Sequence, residues 1–232
     1  MQKLGKYRAA DRMSDLVCGN FHVLLIMSRF GIALGFGDRT VAEVCRSNGV
    51  DTTTFLAVVN MLFDDDGACD PAGISLDTFL HYLHNSHDYF LQYRLPDIRR
   101  KLDAAVGGRD REVAKAVLQF FDDYAAEVDK HMMYEEQTVF PYVRQLLAGE
   151  ADPGYDIEMF QRRHDQIEAR LTELKNILIK YYPPEASCRK EMNGVLFDIF
   201  LCESELASHN DLENRLFIPA VADVERKLHD AR

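Results

Sequence analysis

The chain of 232 residues has no tryptophan, too few basic residues to balance its acidic ones, and no cysteine framework. The missing tryptophan carries no functional information. The charge balance does: 27 Lys and Arg against 38 Asp and Glu give a net charge of −11. That argues against nucleic acid and against anionic membranes as main partners. The five cysteines, Cys18, Cys45, Cys69, Cys188 and Cys202, include no Cys-x-x-Cys pair. An odd, scattered set is unlike a disulfide scaffold and favours a reducing compartment. Long apolar runs are missing too. The most apolar stretch, 16–36, is interrupted by Asn20, His22 and Arg29 and is too broken to span a membrane. The first residues are charged and show no clean cleavable signal, so the expected location is the cytoplasm.

Strand signals are almost absent, whereas apolar residues at helical spacing run along most of the chain. The expected fold class is therefore all-α. Helices are predicted over 8–30 and 52–64, with a short one capped by Thr40 and running through Cys45. Asp51 or Thr52 caps the helix over 52–64. The segment 64–75, rich in Asp, Gly and Pro, is the expected boundary between a small helical N-terminal module (1–70) and a larger domain (71–232). Four long helical patterns fill the larger domain. The first starts at the N-cap Ser75 and ends near Val106, ahead of Gly107-Gly108. The second runs over 109–147 with a bend at Pro141. The third covers 155–181 and stops before Pro183-Pro184. The fourth spans 186–228 with a kink at Pro219. Long helices with short connections predict an up-down-up-down four-helix bundle.

Two segments of this bundle nearly repeat each other. His131-Met-Met-Tyr-Glu135 continues to Pro141 and Val143, and His209-Asn-Asp-Leu-Glu213 continues to Pro219 and Val221. Residues four apart share one helix face, about 6 Å apart along the axis. Each segment thus aims an imidazole and a carboxylate the same way. One such pair alone is ordinarily a solvated surface contact. Here both pairs fall on the apolar seams of their helices. One seam is Val117, Phe120, Tyr124, Val128, His131, Glu135, Val139 and Tyr142; the other is Ile199, Cys202, Leu206, His209, Glu213 and Leu216. The remaining two helices each place one histidine in their seams, His87 and His164. Two buried carboxylates facing four imidazoles would cost several kcal/mol each without a partner or a metal. Imidazole and carboxylate donors suit iron, manganese or zinc rather than a thiolate site. The number of donors fits a dinuclear centre bridged by Glu135 and Glu213. The ordering His-x-x-x-Glu differs from the Glu-x-x-His of the common di-iron carboxylate bundles.

The run from His131 to Pro141, with its Glu135-Glu136 and Phe140-Pro141, resembles the hemerythrin-like HHE proteins. More narrowly, it resembles the di-iron proteins of iron-sulfur cluster repair of the ScdA/YtfE type. Residues 27–45 resemble, more weakly, that family's N-terminal helical domain. The resemblance implies two iron ions held by His87, His131, Glu135, His164, His209 and Glu213. It also implies a role against nitrosative or oxidative stress, with iron-sulfur proteins as partners. The alternative reading is binding or sensing of dioxygen or nitric oxide without repair; a homodimer is open in either case. Two departures bear on this. The family's additional histidine is missing from 101–110, so His84 or Asp103 substitutes for it or one iron keeps an open position. The family's Cys-Cys-Gly-Gly segment is replaced by Leu34-Gly-Phe-Gly37.

Other residues are weighed beside these. Glu127 and Glu205 each precede a ligand histidine by four and either orient it or lie at the seam edge. Glu136 diverges from Glu135 by about 100° on an α-helix and is at most a supporting residue. His84 partly shares the face of His87. Cys202 is explained as a small seam residue; Tyr124 and Tyr134 either guard or donate to the site or belong to an aromatic core stripe; His22 and His229 are incidental.

Overall fold

The computed structural model describes residues 6–61, 73–106, 111–150, 154–162, 169–182 and 189–230. Among these residues the only β feature is an isolated bridge between Arg12 and Thr40. The fold is all-α, with short N-terminal helices preceding a four-helix bundle.

The short helices are α1 (Met13–Gly19), α2 (Val23–Arg29), α3 (Val41–Ser47) and α4 (Thr52–Met61). The single helix expected over 8–30 is split at Asn20. Its side-chain oxygen accepts a hydrogen bond from the His22 backbone N–H at 3.0 Å and lies 2.9 Å from His22 Nδ1. Such a side-chain turn competes with helix continuation. Thr40 caps α3 as expected, in a reciprocal box with Glu43. Of the two cap candidates for α4 it is Asp51 that acts, accepting from the Thr54 backbone N–H at 2.7 Å.

The longer helices are α5 (Leu76–Asp88), α6 (Leu95–Val106), α7 (Arg111–Tyr134), α8 (Phe140–Leu147), α9 (Ile157–Gln161), α10 (Ala169–Lys180), α11 (Arg189–Leu212) and α12 (Ile218–Asp230). Three π-helical segments join α5 to α6 (Tyr89–Arg94), α7 to α8 (Glu135–Val139) and α11 to α12 (Glu213–Phe217). Each ends two residues before a proline: Pro96, Pro141 or Pro219. Proline has no N–H for the carbonyl four residues back, and its ring crowds that carbonyl. Widening the preceding turn by one residue relieves this. The Leu95 N–H reaches Phe90 O, and the Ile218 N–H reaches Glu213 O, both five residues back. The bend expected at Pro141 and the kink at Pro219 thus take the form of π segments. A third, ahead of Pro96, was hidden inside what reads as one continuous helix.

Contacts divide the chain into two units: 1–86, 139–163 and 211–232 in one, and 87–138 and 164–210 in the other. In the first, Phe217 packs against Phe79, Phe140 and Phe160 with ring centroids 5.9–6.5 Å apart. Phe30 links the short helices to this core through Phe55 and Tyr82, at 5.4 and 4.6 Å. Asn85 Nδ2 donates to Arg29 O at 2.7 Å. Burying each of these rings contributes roughly 1.5–3 kcal/mol.

In the second unit, four helices share one core: Ile98 and Leu102 of α6, Phe121, Tyr124 and Val128 of α7, Leu171 and Leu174 of α10, and Ile199, Cys202 and Leu206 of α11. Among the residues named for the α7 seam one shift is seen. Phe121 is buried in α7, whereas Phe120 only packs against the core from its edge.

The cysteines permit a direct check of this packing. Cys18 is exposed, and Cys45 and Cys202 are buried. Burial pushes the Cys45 thiol up to about 11, against an opposing hydrogen bond with Thr52. A thiolate is the reactive form. Brief alkylation of the native protein near pH 8 should therefore modify Cys18 and spare Cys45 and Cys202 until the chain is unfolded, as read by peptide mass spectrometry. Labelling of Cys45 at the rate of Cys18 would contradict the packing of α3.

Candidate metal centre

The π segments mark where the chemistry gathers. His87 precedes the first by two residues, while Glu135 and Glu213 open the other two. π turns are rare and recur at functional sites.

Four of the predicted residues come together. His87, Glu135, His209 and Glu213 each present a donor atom within 4.8 Å of the others, and all four are buried. The rings of His87 and His209 meet edge to face at 5.4 Å, and Phe90 lies against His209 at 5.9 Å. His131 stands beside this group: its Nε2 is 2.8 Å from Glu135 Oε1. His87 Nε2 is 3.1 Å from the other oxygen, Oε2. Glu135 therefore lies between two imidazoles.

His87 is held from its far side as well. Its Nδ1 is 2.8 Å from Glu136 Oε1. An ionised carboxylate can only accept, so the ring hydrogen of this contact is on Nδ1. In a neutral imidazole the Nε2 atom is then a bare acceptor, and it faces a carboxylate oxygen. Neither oxygen of Glu135 receives a hydrogen bond of acceptable geometry, and the residue is wholly buried. Two acceptors in contact require a second proton or a cation between them. A cation satisfies the contacts to His87 and His131 together and offsets the burial of the carboxylates. The donor set thus fits a metal of the iron, manganese or zinc kind.

The remaining candidates are placed as follows. His164 lies outside the described residues. His84 is on the exposed surface of α5, and Asp103 is exposed on α6; neither belongs to the buried group. Glu127 and Glu205, alike in sequence, part company. Glu127 is exposed and pairs with Arg170 at 2.7 Å. Glu205 is buried one turn before His209. Its charge acts on Arg94, which is itself buried and bonded to Asp198 at 3.0 Å. Burial pulls the Arg94 guanidinium down, but Tyr89, Glu205 and Asp198 outweigh it and hold it above its ordinary value. In the sequence Arg94 is a lone arginine on a helix and carries no signal of its partners.

Among the described residues no helix is long and apolar enough to cross a membrane.

The sequence matches the Hemerythrin HHE cation binding domain family over residues 78–221. Relatives include the iron-sulfur cluster repair protein DnrN of Neisseria gonorrhoeae, 25% identical over 158 residues, covering 66% of this chain and 93% of that protein. The iron-sulfur cluster repair protein YtfE of Salmonella paratyphi B is 23% identical over 189 residues, covering 79% of this chain and 83% of that protein. The YtfE protein of Salmonella newport matches to the same extent.

Proposed function

Because this chain belongs to the Hemerythrin HHE cation binding domain family, we propose that its bundle holds a non-haem di-iron centre that serves iron-sulfur cluster repair under nitrosative or oxidative stress. The observation that carries this is the buried group of His87, Glu135, His209 and Glu213. The residues proposed to hold the irons are these four with His131 and His164, and the two carboxylates, Glu135 and Glu213, would supply the negative charge that both ions need. For the missing family histidine two alternatives stand, an open position on one iron or substitution by His84, which lies exposed on α5 and would have to turn inward to reach the buried group. That the similar proteins of Neisseria gonorrhoeae and Salmonella paratyphi B are iron-sulfur cluster repair proteins supports the repair assignment.

Bound iron supplies redox and Lewis-acid chemistry toward a small ligand such as nitric oxide or dioxygen. The chain's own residues supply the rest. Two carboxylates balance the cationic charge, which makes burial of the ions tolerable. The histidines fix their positions, and Phe90 walls the His209 ring with an apolar surface. Iron delivery to a damaged cluster then treats the metal as cargo.

A second reading has one observation in its favour. The segment Leu34-Gly-Phe-Gly37 has no thiol where the resembling repair proteins have two, and Leu34 is exposed. Any step of repair that uses those thiols is closed to this chain, which favours reversible binding or sensing of nitric oxide or dioxygen.

The two readings separate in one experiment. Reduced, iron-loaded protein is incubated anaerobically with a nitric-oxide-damaged iron-sulfur dehydratase and no added iron. Repair predicts recovery of dehydratase activity that scales with the amount of protein added. The sensing reading predicts no recovery, together with optical changes on nitric oxide or dioxygen addition that reverse over repeated cycles.

A further inference from the structure

We propose that Glu136 is a positioning residue. It accepts a hydrogen bond from the Nδ1–H of His87 and so keeps the Nε2 lone pair of that ring turned toward Glu135 and the metal. The inference rests on the metal-binding reading above and adds a residue to it.

The geometry is specific. Glu136 Oε1 lies 2.8 Å from His87 Nδ1, and Glu135 Oε2 lies 3.1 Å from His87 Nε2. Two consecutive carboxylates thus flank the two nitrogens of one imidazole. On a regular α-helix neighbouring side chains diverge by about 100°. Here Glu135 and Glu136 are the first two residues of the π segment, and both lie beside the same ring, one at each nitrogen. The His87 side chain is 3% exposed and that of Glu136 is 21% exposed, so Glu136 stands between the ring and solvent.

The chemistry follows from the proton count. A neutral imidazole carries one N–H. Anchoring it on Nδ1 selects the tautomer whose Nε2 can bind metal, and the carboxylate increases the electron donation of that nitrogen. Without the anchor the ring populates both tautomers and turns about its broad terminal torsion. The repeated segment has no counterpart. The residue after Glu213 is Asn214, which is exposed. The two halves of the site are therefore unequal, and the Glu136 anchor belongs to the His87 half alone.

The test uses the full chain as wild type, Glu136→Gln and Glu136→Ala, each loaded with zinc as a diamagnetic probe. Two-bond proton–nitrogen correlation spectra report the tautomer of each histidine, with His87 identified by the signal lost in His87→Ala. Zinc affinity is read by competition with a chelator. The wild type should show His87 as the Nδ1–H tautomer with its proton protected from exchange. Glu136→Ala should lose that protection and weaken zinc binding roughly 10–100-fold. Glu136→Gln, whose amide oxygen accepts the same bond, should keep the tautomer and most of the affinity.

An Nε2–H tautomer in the wild type, or zinc affinity in Glu136→Ala within about twofold of wild type, would overturn the proposal while leaving metal binding intact. So would a glutamine variant as weak as the alanine one. A wild-type chain that takes up neither zinc nor iron would overturn the metal-binding reading and this inference with it.

Discussion

Replacing Glu213 or Glu135 by glutamine should abolish loading of the centre while leaving the fold intact. Both carboxylates are wholly buried in the ligand group, and as shared ligands each would hold both irons. Glutamine keeps the volume and removes the charge, so the core is not hollowed as it would be by alanine. The metal-free protein gains in one respect: a buried carboxylate facing imidazoles without a cation is costly, and its neutral isostere is not. The apo melting temperature of Glu213→Gln should thus equal or exceed that of apo wild type. Iron content should fall from about two per chain to well below one. Circular dichroism with metal analysis checks both halves. A Glu135→Gln, Glu213→Gln double variant that still carries two irons would rule out the dinuclear assignment.

The second large effect is on stability. Metal that binds the folded chain and not the unfolded one stabilises it by mass action. With free metal at about a thousand times its dissociation constant the gain is roughly 4 kcal/mol. For a chain of this size that corresponds to about 8–16 °C in melting temperature. Chelation should therefore lower the melting temperature by an amount of that order and leave the helical content nearly unchanged. The reason is that the apolar core of α6, α7, α10 and α11 is continuous without the ligands: Leu102, Phe121, Leu171, Leu174, Ile199 and Leu206 are all buried within it. Calorimetry of paired loaded and stripped samples gives the shift. An unchanged melting temperature would argue against a metal in the core, and loss of helix on chelation would argue against the core as described.

Much of this was legible in the sequence because helical periodicity reports burial directly. Ile199, Cys202, Leu206, His209, Glu213 and Leu216 read as one stripe and are one buried stripe. The paired His-x-x-x-Glu segments were visible for the same reason. What escaped was whatever depends on departure from α geometry. An α-helix turns Glu136 about 100° from Glu135, so spacing marks it as at most a supporting residue and does not show its contact with His87. The prolines were read as kinks, but proline alone does not say whether a helix bends or takes up an extra residue in a π turn. The break at Asn20 depended on a local side-chain hydrogen bond that periodicity cannot see. Glu127 and Glu205 occupy equivalent positions in the repeat, and only tertiary partners separate the exposed one from the buried one. In each case the deciding information was a contact, not a spacing.

The most direct test of the central claim is the metal content of freshly isolated, anaerobically handled protein, measured by elemental analysis against protein concentration from amino-acid analysis. The account predicts about two irons per chain, falling to near zero in the Glu135→Gln, Glu213→Gln variant. A single equivalent of metal, or none after reconstitution with ferrous iron, would contradict it.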